Sequence, residues 1–298
     1  MQQGAVQSSL SLWGGVSAGT ATNRPKVHRA MGFLHLCQPD PGKSCAACCG
    51  IYNYADSTPE ALTARLRRRT AMFRSIVHGR GDLATYSRAI KGSEEQAKRY
   101  EVIYCCEYAG FIDPEERRVG CLLHPCLNGN EDLRDVSFYG RQLCNDHFCP
   151  SYHYISRAEQ QALLHIFDDW YLYGLCLTDI DLVKTYFQLI GNAVGEMPDP
   201  ALFRKDPIRR VAGDFFLMKL SWPFRSPDVN RFGKYYFDGS QYMIHHIDYD
   251  ALGCDRSVFD RIFLSLSSIF ASADVLRQAE AIIRNHIETF VRAFHSMH

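Results

Sequence analysis

The densest chemistry in the sequence is Cys45-Ala46-Ala47-Cys48-Cys49-Gly50, with Cys37 just upstream. The theme returns at Cys105-Cys106, at Gly120-Cys121-Leu122-Leu123-His124-Pro125-Cys126 and at Cys144-Asn145-Asp146-His147-Phe148-Cys149-Pro150. Of the 12 cysteines, only Cys176 and Cys254 lie beyond Cys149. Cys45 and Cys48 have the Cys-x-x-Cys spacing that suits one metal, because the intervening turn lets both sulfurs face inward with backbone amides hydrogen-bonded to them. Cys49 leaves the backbone in another direction, so both neighbours serve metal only by bridging within a cluster or by supplying two nearby mononuclear sites. One tetrahedral zinc needs four ligands. The supply is larger, which implies two metals, a polynuclear cluster or bystander thiols. Thiolate sites accept both zinc and iron, and adjacent cysteines with the surplus favour an iron–sulfur cluster or a polynuclear site, with ligation by four cysteines as the minimum. His124, His147 and His153 are near enough in sequence to complete a mixed site. Surface or second-shell positions are the expectation for His147 and His153.

An even cysteine count also suits a disulfide framework, but that reading needs an oxidising compartment. The segment Met1-Gln2-Gln3-Gly4-Ala5-Val6 has no basic run, no uninterrupted apolar run follows it, and nothing approaches the roughly 20 apolar residues of a membrane helix. The expectation is a soluble cytoplasmic protein with reduced thiols and no membrane partner. Lys+Arg at 33 balance Asp+Glu at 33, so no global basic field favours nucleic acid. A protein partner stays open, as does the oligomeric state.

The spacing Cys45-x-x-Cys48-Cys49, a later Cys, a Gly-Cys-x-x-His-Pro segment and a closing Cys pair resemble the CxxCxxCC-type (YkgJ-like) zinc- or iron-chelating proteins of bacteria. That family includes members similar to flagellin lysine N-methylases. The resemblance covers about residues 37–150 and is one of pattern. It implies metal chelation by Cys45, Cys48, Cys49, Cys121 and Cys144, with Cys106 and Cys149 added to the set. The first cysteine departs from the pattern, lying eight residues before Cys45 instead of three, which leaves Cys37 outside the matched positions. The segment Phe138-Tyr139-Gly140-Arg141-Gln142-Leu143-Cys144 also replaces the family's Arg-Pro-x-x-Cys. Cys48-Cys49-Gly50 is similar to heterodisulfide-reductase-type iron–sulfur domains too, without their downstream Cys-x-x-Cys.

The elements that must position these thiols divide the chain into a tail (1–28), a Cys-rich metal-binding domain (29–155) and a helical domain (156–298). The tail is rich in Gly, Ser, Ala and Thr and shows no sustained period. Pro39, Pro41 and Gly42 predict a turn that returns Cys37 towards Cys45. Ser57-Thr58-Pro59-Glu60 opens a helix to about Gly79, and Ser93-Glu94-Glu95-Gln96 predicts a shorter one towards Tyr100. The run Arg65, Arg67-Arg68-Arg69 could hold phosphate, though a solvated face offset by acids is the expectation. Residues 102–114 and 117–125 read as extended chain, out and back. A helical turn from Gly140 should deliver Cys144 and Cys149 together.

Past Pro150, Ser156-Arg157-Ala158-Glu159 is a capping box opening one amphipathic helix that carries Leu163, Leu164, Phe167, Trp170, Tyr171 and Leu175. Thr178 or Asp179 caps the next, and Asp199-Pro200 and Asp206-Pro207 start others, the last ending at Trp222-Pro223. A β-hairpin turns at Asp238-Gly239, with His245-His246 facing opposite ways after it. Two helices, near 257–270 and 272–294, close the chain. Cys176 and Cys254 read as plain small hydrophobes.

The fold expected is therefore mainly α with minor β: an irregular Cys-rich domain packed on a helical domain containing one hairpin. No P-loop, dinucleotide-binding glycine pattern, His-Glu-x-x-His or Gly-x-Ser-x-Gly occurs. The functional expectation is a metal-binding protein holding zinc, iron or an iron–sulfur cluster. Its rival is a metal- or cluster-dependent enzyme, redox or methyl-transferring, with substrate between the two domains.

Overall fold

The computed structural model describes residues 34–238 and 241–297; the expected tail, with Trp13, lies outside them. The chain is mainly helical, with two small antiparallel hairpins. Helices α1 (Pro59–Ile76) and α2 (Leu83–Ser93) precede the first hairpin, β1 (Ala109–Phe111) with β2 (Val119–Cys121). Short helices α3 (Gly140–Asp146) and α4 (Ser151–Tyr154) lead into α5 (Arg157–Ile166), α6 (Trp170–Leu177), α7 (Ile180–Val194) and α8 (Asp206–Ser221). The second hairpin, β3 (Tyr235–Asp238) with β4 (Gln241–Ile244), precedes α9 (Tyr249–Leu252), α10 (Asp260–Ser265) and α11 (Ala273–His295). Its register pairs Asp238 with Gln241; the turn expected at Asp238-Gly239 falls partly outside the described residues. No helix of the described chain is long and apolar enough to cross a membrane.

Most helix starts follow local capping chemistry. Ser156 and Glu159 form the reciprocal capping box of α5. Asp179 caps α7, and Ser272 caps α11, each accepting from an amide in the first turn. At α1 the cap is Thr58, which accepts from the Ala61 amide, with Pro59 at the first position. Ser57 is diverted to tertiary contacts, its hydroxyl accepting from Arg99 and its carbonyl from the Tyr171 hydroxyl.

Two local expectations are overturned. Ser93 ends α2 and starts no helix towards Tyr100. The two capping groups are engaged elsewhere: Ser93 Oγ donates to the Ile90 carbonyl at 3.3 Å and Gln96 Nε2 to the Glu94 carbonyl at 2.9 Å, while the Glu94 carboxylate accepts from Arg65 at 2.7 Å and from Arg69 at 2.7–3.1 Å. The long helix expected from Ser156 is instead two, α5 and α6. Asp169 breaks it because its carboxylate caps α6 through the Leu172 amide at 2.7 Å.

All eight residues of α6 are buried, and that burial explains how the cysteine-bearing chain joins the helical part. A helix apolar all round can only sit inside. One side of α6 (Leu172, Tyr173, Cys176, Leu177) packs with Leu163, Tyr186, Phe215, Phe216, Phe263 and Phe290 of the helical core. Its other side (Trp170, Tyr171, Leu175) packs with Ile51, Tyr52, Tyr54, Leu62, Phe111 and Val119 from the first half. A third cluster joins Phe73, Leu83, Tyr86 and Ile90 to Cys106, Tyr108, Leu122 and Leu123.

The arginine run of α1 belongs to this packing. Arg67 pairs with Glu116 at 2.5 Å, Arg68 donates to the Ser93 carbonyl, and Arg69 is 2% exposed. The acids expected opposite the run are present, but Arg69 is a buried strut and not part of a solvated face. It pairs with Glu94, donates to the Tyr54 hydroxyl, and donates to the Cys106 carbonyl at 2.8 Å. Removing one partner of a buried ion pair leaves an uncompensated charge. Glu94→Gln is therefore expected to lower stability by about 3–5 kcal/mol, read as a fall in the urea midpoint, while Arg67→Gln at the surface changes it by less than about 1 kcal/mol.

Candidate metal centre

The turn through Pro39 and Pro41 returns Cys37 to Cys45, whose amide donates to the Cys37 carbonyl at 2.8 Å. Asp40 shapes the loop by accepting from the Gly42 and Lys43 amides at 2.7 and 3.1 Å. The loop then docks on β2: the Val119 amide donates to Ser44 Oγ at 2.6 Å, and Gln38 Nε2 donates to the Val119 carbonyl at 2.9 Å. The Cys37 amide donates to the Tyr152 hydroxyl at 3.3 Å, tying the loop to α4. Cys45 faces α6 at Gly174, where an added Cβ would lie 3.4 Å from its Sγ and 2.5 Å from the Tyr52 hydroxyl.

Ala47–Cys49 forms a 3-10 turn that ends at Gly50, in the left-handed region with φ 76°. An added Cβ at Gly50 would lie 2.2 Å from the Tyr104 carbonyl oxygen. That close approach seats Cys49 against the second stretch of thiols, with the Cys106 amide donating to the Cys49 carbonyl at 2.9 Å. The neighbours Cys105 and Cys106 then part company. Cys105 turns to Asn53, whose Nδ2 lies 3.6 Å from its Sγ, and joins the core around Ile51 and Tyr52. Cys106 turns to the opposite cluster and to Cys121.

Electrostatics links eight thiols in two overlapping sets, with Cys45 adding to the rise of Cys49 and Cys49 to that of Cys48. In the first, burial raises the Cys37 thiol, with Cys149 adding to the rise. Burial raises Cys45 further, with Cys37 and Cys149 contributing. Cys48 donates a hydrogen bond to Cys149, which raises Cys48 and pulls Cys149 below its ordinary value. In the second group Cys49 is driven well above its ordinary value by burial and then by Cys106, Cys121 and Cys144. Burial, with Cys121 adding, pushes Cys106 up to about 12. Burial, with Cys144 adding, pushes Cys121 up to about 11. Tyr139 is pushed up to about 12 by burial and by Cys49, Cys106, Cys105 and Cys48.

Four of these sulfurs accept a hydrogen bond from the amide two residues on. Ala47 donates to Cys45, Tyr108 to Cys106, Leu123 to Cys121 and Ser151 to Cys149. Such donors favour the thiolate over the thiol, and they oppose the burial that raises Cys45, Cys106 and Cys121. Among the described residues, however, no three His, Cys, Asp or Glu side chains converge tightly enough to form a metal-holding group as they stand. Ligation would require the sulfurs of each group to close in further.

The sequence-derived candidates Cys45, Cys48, Cys49, Cys106, Cys121, Cys144 and Cys149 all fall in the two groups. Cys37, which the family spacing leaves out, joins them; the Pro39-Pro41-Gly42 turn was the signal for it. Cys144 and Cys149 are not delivered together. α3 carries Cys144 to Cys121 and Cys49, with Ser137 Oγ 3.9 Å from its Sγ, whereas the chain after α3 runs on to place Cys149 beside Cys48. Cys126 is exposed, and His124 Nδ1 accepts from the Cys126 amide at 3.2 Å, capping its own turn. His147 lies near Cys149, and His153 is exposed. Cys176 is buried on α6 and Cys254 is half-buried past the Gly253 cap. After β4, His245 is half-buried and His246 exposed, the alternation expected of extended chain. Two cavities, about 150 Å³ beside Arg67 and Asp113 and about 440 Å³ beside Lys184 and Asn192, have no cysteine in their walls.

No family model matches the chain, and neither does any curated protein or solved structure.

Gly50 and Gly129 both have positive φ, but only Gly50 meets backbone where a side chain would begin. Gly129→Ala is expected to cost only the conformational term, about 1–2 kcal/mol. Gly50→Ala should cost clearly more and should also raise alkylation of Cys49 and Cys106 in the native protein. Equal thermal shifts for the two variants would remove the close approach from this account.

Proposed function

We propose that this chain binds metal through its clustered cysteines and that the metal is part of its folded structure. One observation carries the reading: cysteines from separate stretches, Cys37 to Cys49, Cys106, Cys121, Cys144 and Cys149, gather where little regular structure holds the backbone. Packed neutral thiols gain little from one another, and deprotonating several without a cation is costly, as their raised pKa values record. A bound divalent ion or cluster reverses that balance, because coordinated thiols are deprotonated outright. The amides aimed at Cys45, Cys106, Cys121 and Cys149 support the same state. Resemblance to the CxxCxxCC-type chelating proteins adds to the case through the spacing of Cys45, Cys48 and Cys49.

Zinc, iron and an iron–sulfur cluster all suit thiolate ligands. In each case metal binding contributes folding free energy, since an unfolded chain presents no assembled site. Anaerobically purified protein is expected to carry stoichiometric metal, and chelation should lower its thermal midpoint by several degrees. Cys106→Ser and Cys121→Ser should lose metal, while Cys105→Ser, Cys126→Ser and Cys254→Ser retain it. Metal-free protein of unchanged stability would sink the reading.

A further inference from the structure

We propose that a phosphate-class oxyanion binds where Arg99, Arg225 and Arg231 gather, at the junction of the chain before Tyr100 with the loop leading into β3. The site uses no cysteine and does not rest on the metal-binding reading.

Backbone ties build the junction. Arg99 Nη1 donates to the Val229 and Arg231 carbonyls at 3.0 and 3.3 Å, and its Nη2 donates to Ser57 Oγ at 3.0 Å. The next residue of each segment repeats the tie, the Tyr100 hydroxyl accepting from the Phe232 amide at 2.8 Å. On its other side the loop rests on the chain after α10: an added Cβ at Gly233 would lie 3.5 Å from the Ser265 carbonyl oxygen, and the Ser226 amide donates to the Ser267 carbonyl at 2.8 Å. Arg225, beside Ser226, donates through Nη2 to the Met218 and Lys219 carbonyls at 3.3 and 2.5 Å.

All of these acceptors are neutral. Arg99 Nε and Arg231 Nε and Nη1 are buried with no acceptor at all. Buried donors are normally satisfied by protein, water or an ion, so an orphaned set marks a missing partner. The acids nearby are engaged elsewhere: Asp56 by Thr58, Asp228 by the Asn230 amide, Asp179 by Lys219, Asp181 by Lys234 and Asp260 by Arg256. No side chain outside the described residues is acidic, so the missing anion comes from another molecule. Desolvation lowers the Arg99 pKa, and desolvation with the Arg99 charge lowers that of Arg225, as befits cations gathered without counter-charge. A carboxylate brings one charge in one plane. A phosphate group brings about −1.5 to −2 and oxygens in several directions, which suits guanidiniums arriving from separate segments. Residues 227–230 are exposed, and an oxyanion entering there is a stronger acceptor for Arg99 than the neutral carbonyls it replaces.

Phosphorus NMR and calorimetry on the full chain at constant ionic strength are expected to show saturable, one-to-one binding of inorganic phosphate. Acetate and chloride at matched ionic strength should give none. Arg225→Gln and Arg231→Gln should each weaken phosphate binding by about tenfold, the loss of one charge-assisted donor group. Should a variant fail to fold, Arg231→Lys, which keeps the charge but lacks the Nε donor, should still show weaker binding. Glycerol phosphate binding more tightly than the free ion assigns the site to the phosphoryl group of a small organic ligand; equal or weaker binding assigns it to free phosphate. No saturable phosphate binding, equal binding of acetate, or wild-type affinity in the variants would overturn the site.

Discussion

Where Gly50 meets Tyr104, two backbones come so close that no side chain fits between them. Much of the first half depends on that contact. It requires a glycine for space as well as for its positive φ. It brings Cys106 into register with Cys49 through a backbone hydrogen bond, and it leaves Cys105 on the far side against Asn53. Asn53 accepts from the Tyr100 amide and donates to the Tyr100 and Ile103 carbonyls, so the irregular chain from 100 to 105 is pinned along its length.

Around this contact the structure relies on buried polar fixtures as much as on apolar area. Arg69 crosses from α1 to the Cys106 carbonyl while neutralised by Glu94. Tyr52 and Tyr171 each donate a hydroxyl to a carbonyl more than a hundred residues away in sequence, at 2.8 and 2.6 Å. Buried polar groups that find partners specify one arrangement, because any other arrangement strands them. α6 completes the arrangement, since a helix with no polar face must be covered on every side. The cysteine-bearing chain supplies part of that cover, and Gly174 leaves room for Cys45 and Tyr52.

Much of the candidate site was legible in the residues themselves. Clustered thiols, the Cys45–Cys48 spacing and the turn after Cys37 all follow from local chemistry, and the adjacency of Cys48 and Cys49 already suggested two destinations. The helix caps at Ser156, Asp179 and Ser272 were equally local. Local rules failed where a tertiary partner claimed the same group. Ser93 and Gln96 could not cap a helix because Ser93 closes α2 on the Ile90 carbonyl and Gln96 turns to the Glu94 carbonyl, next to the carboxylate that two arginines from α1 hold. Ser57 gave way to Thr58 for the same kind of reason. An apolar stripe running through Phe167 could not reveal that Asp169 would divide it.

The amino-acid sequence by itself determined which residues can ligate, which turns bring near neighbours together, and that most of the chain is helical. Those properties depend on side-chain type and on contacts within a few residues. Only the tertiary structure decided which distant cysteines share a group: that Cys144 joins Cys49 and Cys121, that Cys149 joins Cys48, and that Cys105 and Cys126 join neither. Such pairings join positions up to about a hundred residues apart, and they are set by close backbone approach and by the burial of α6, interactions that leave no periodic trace in the sequence.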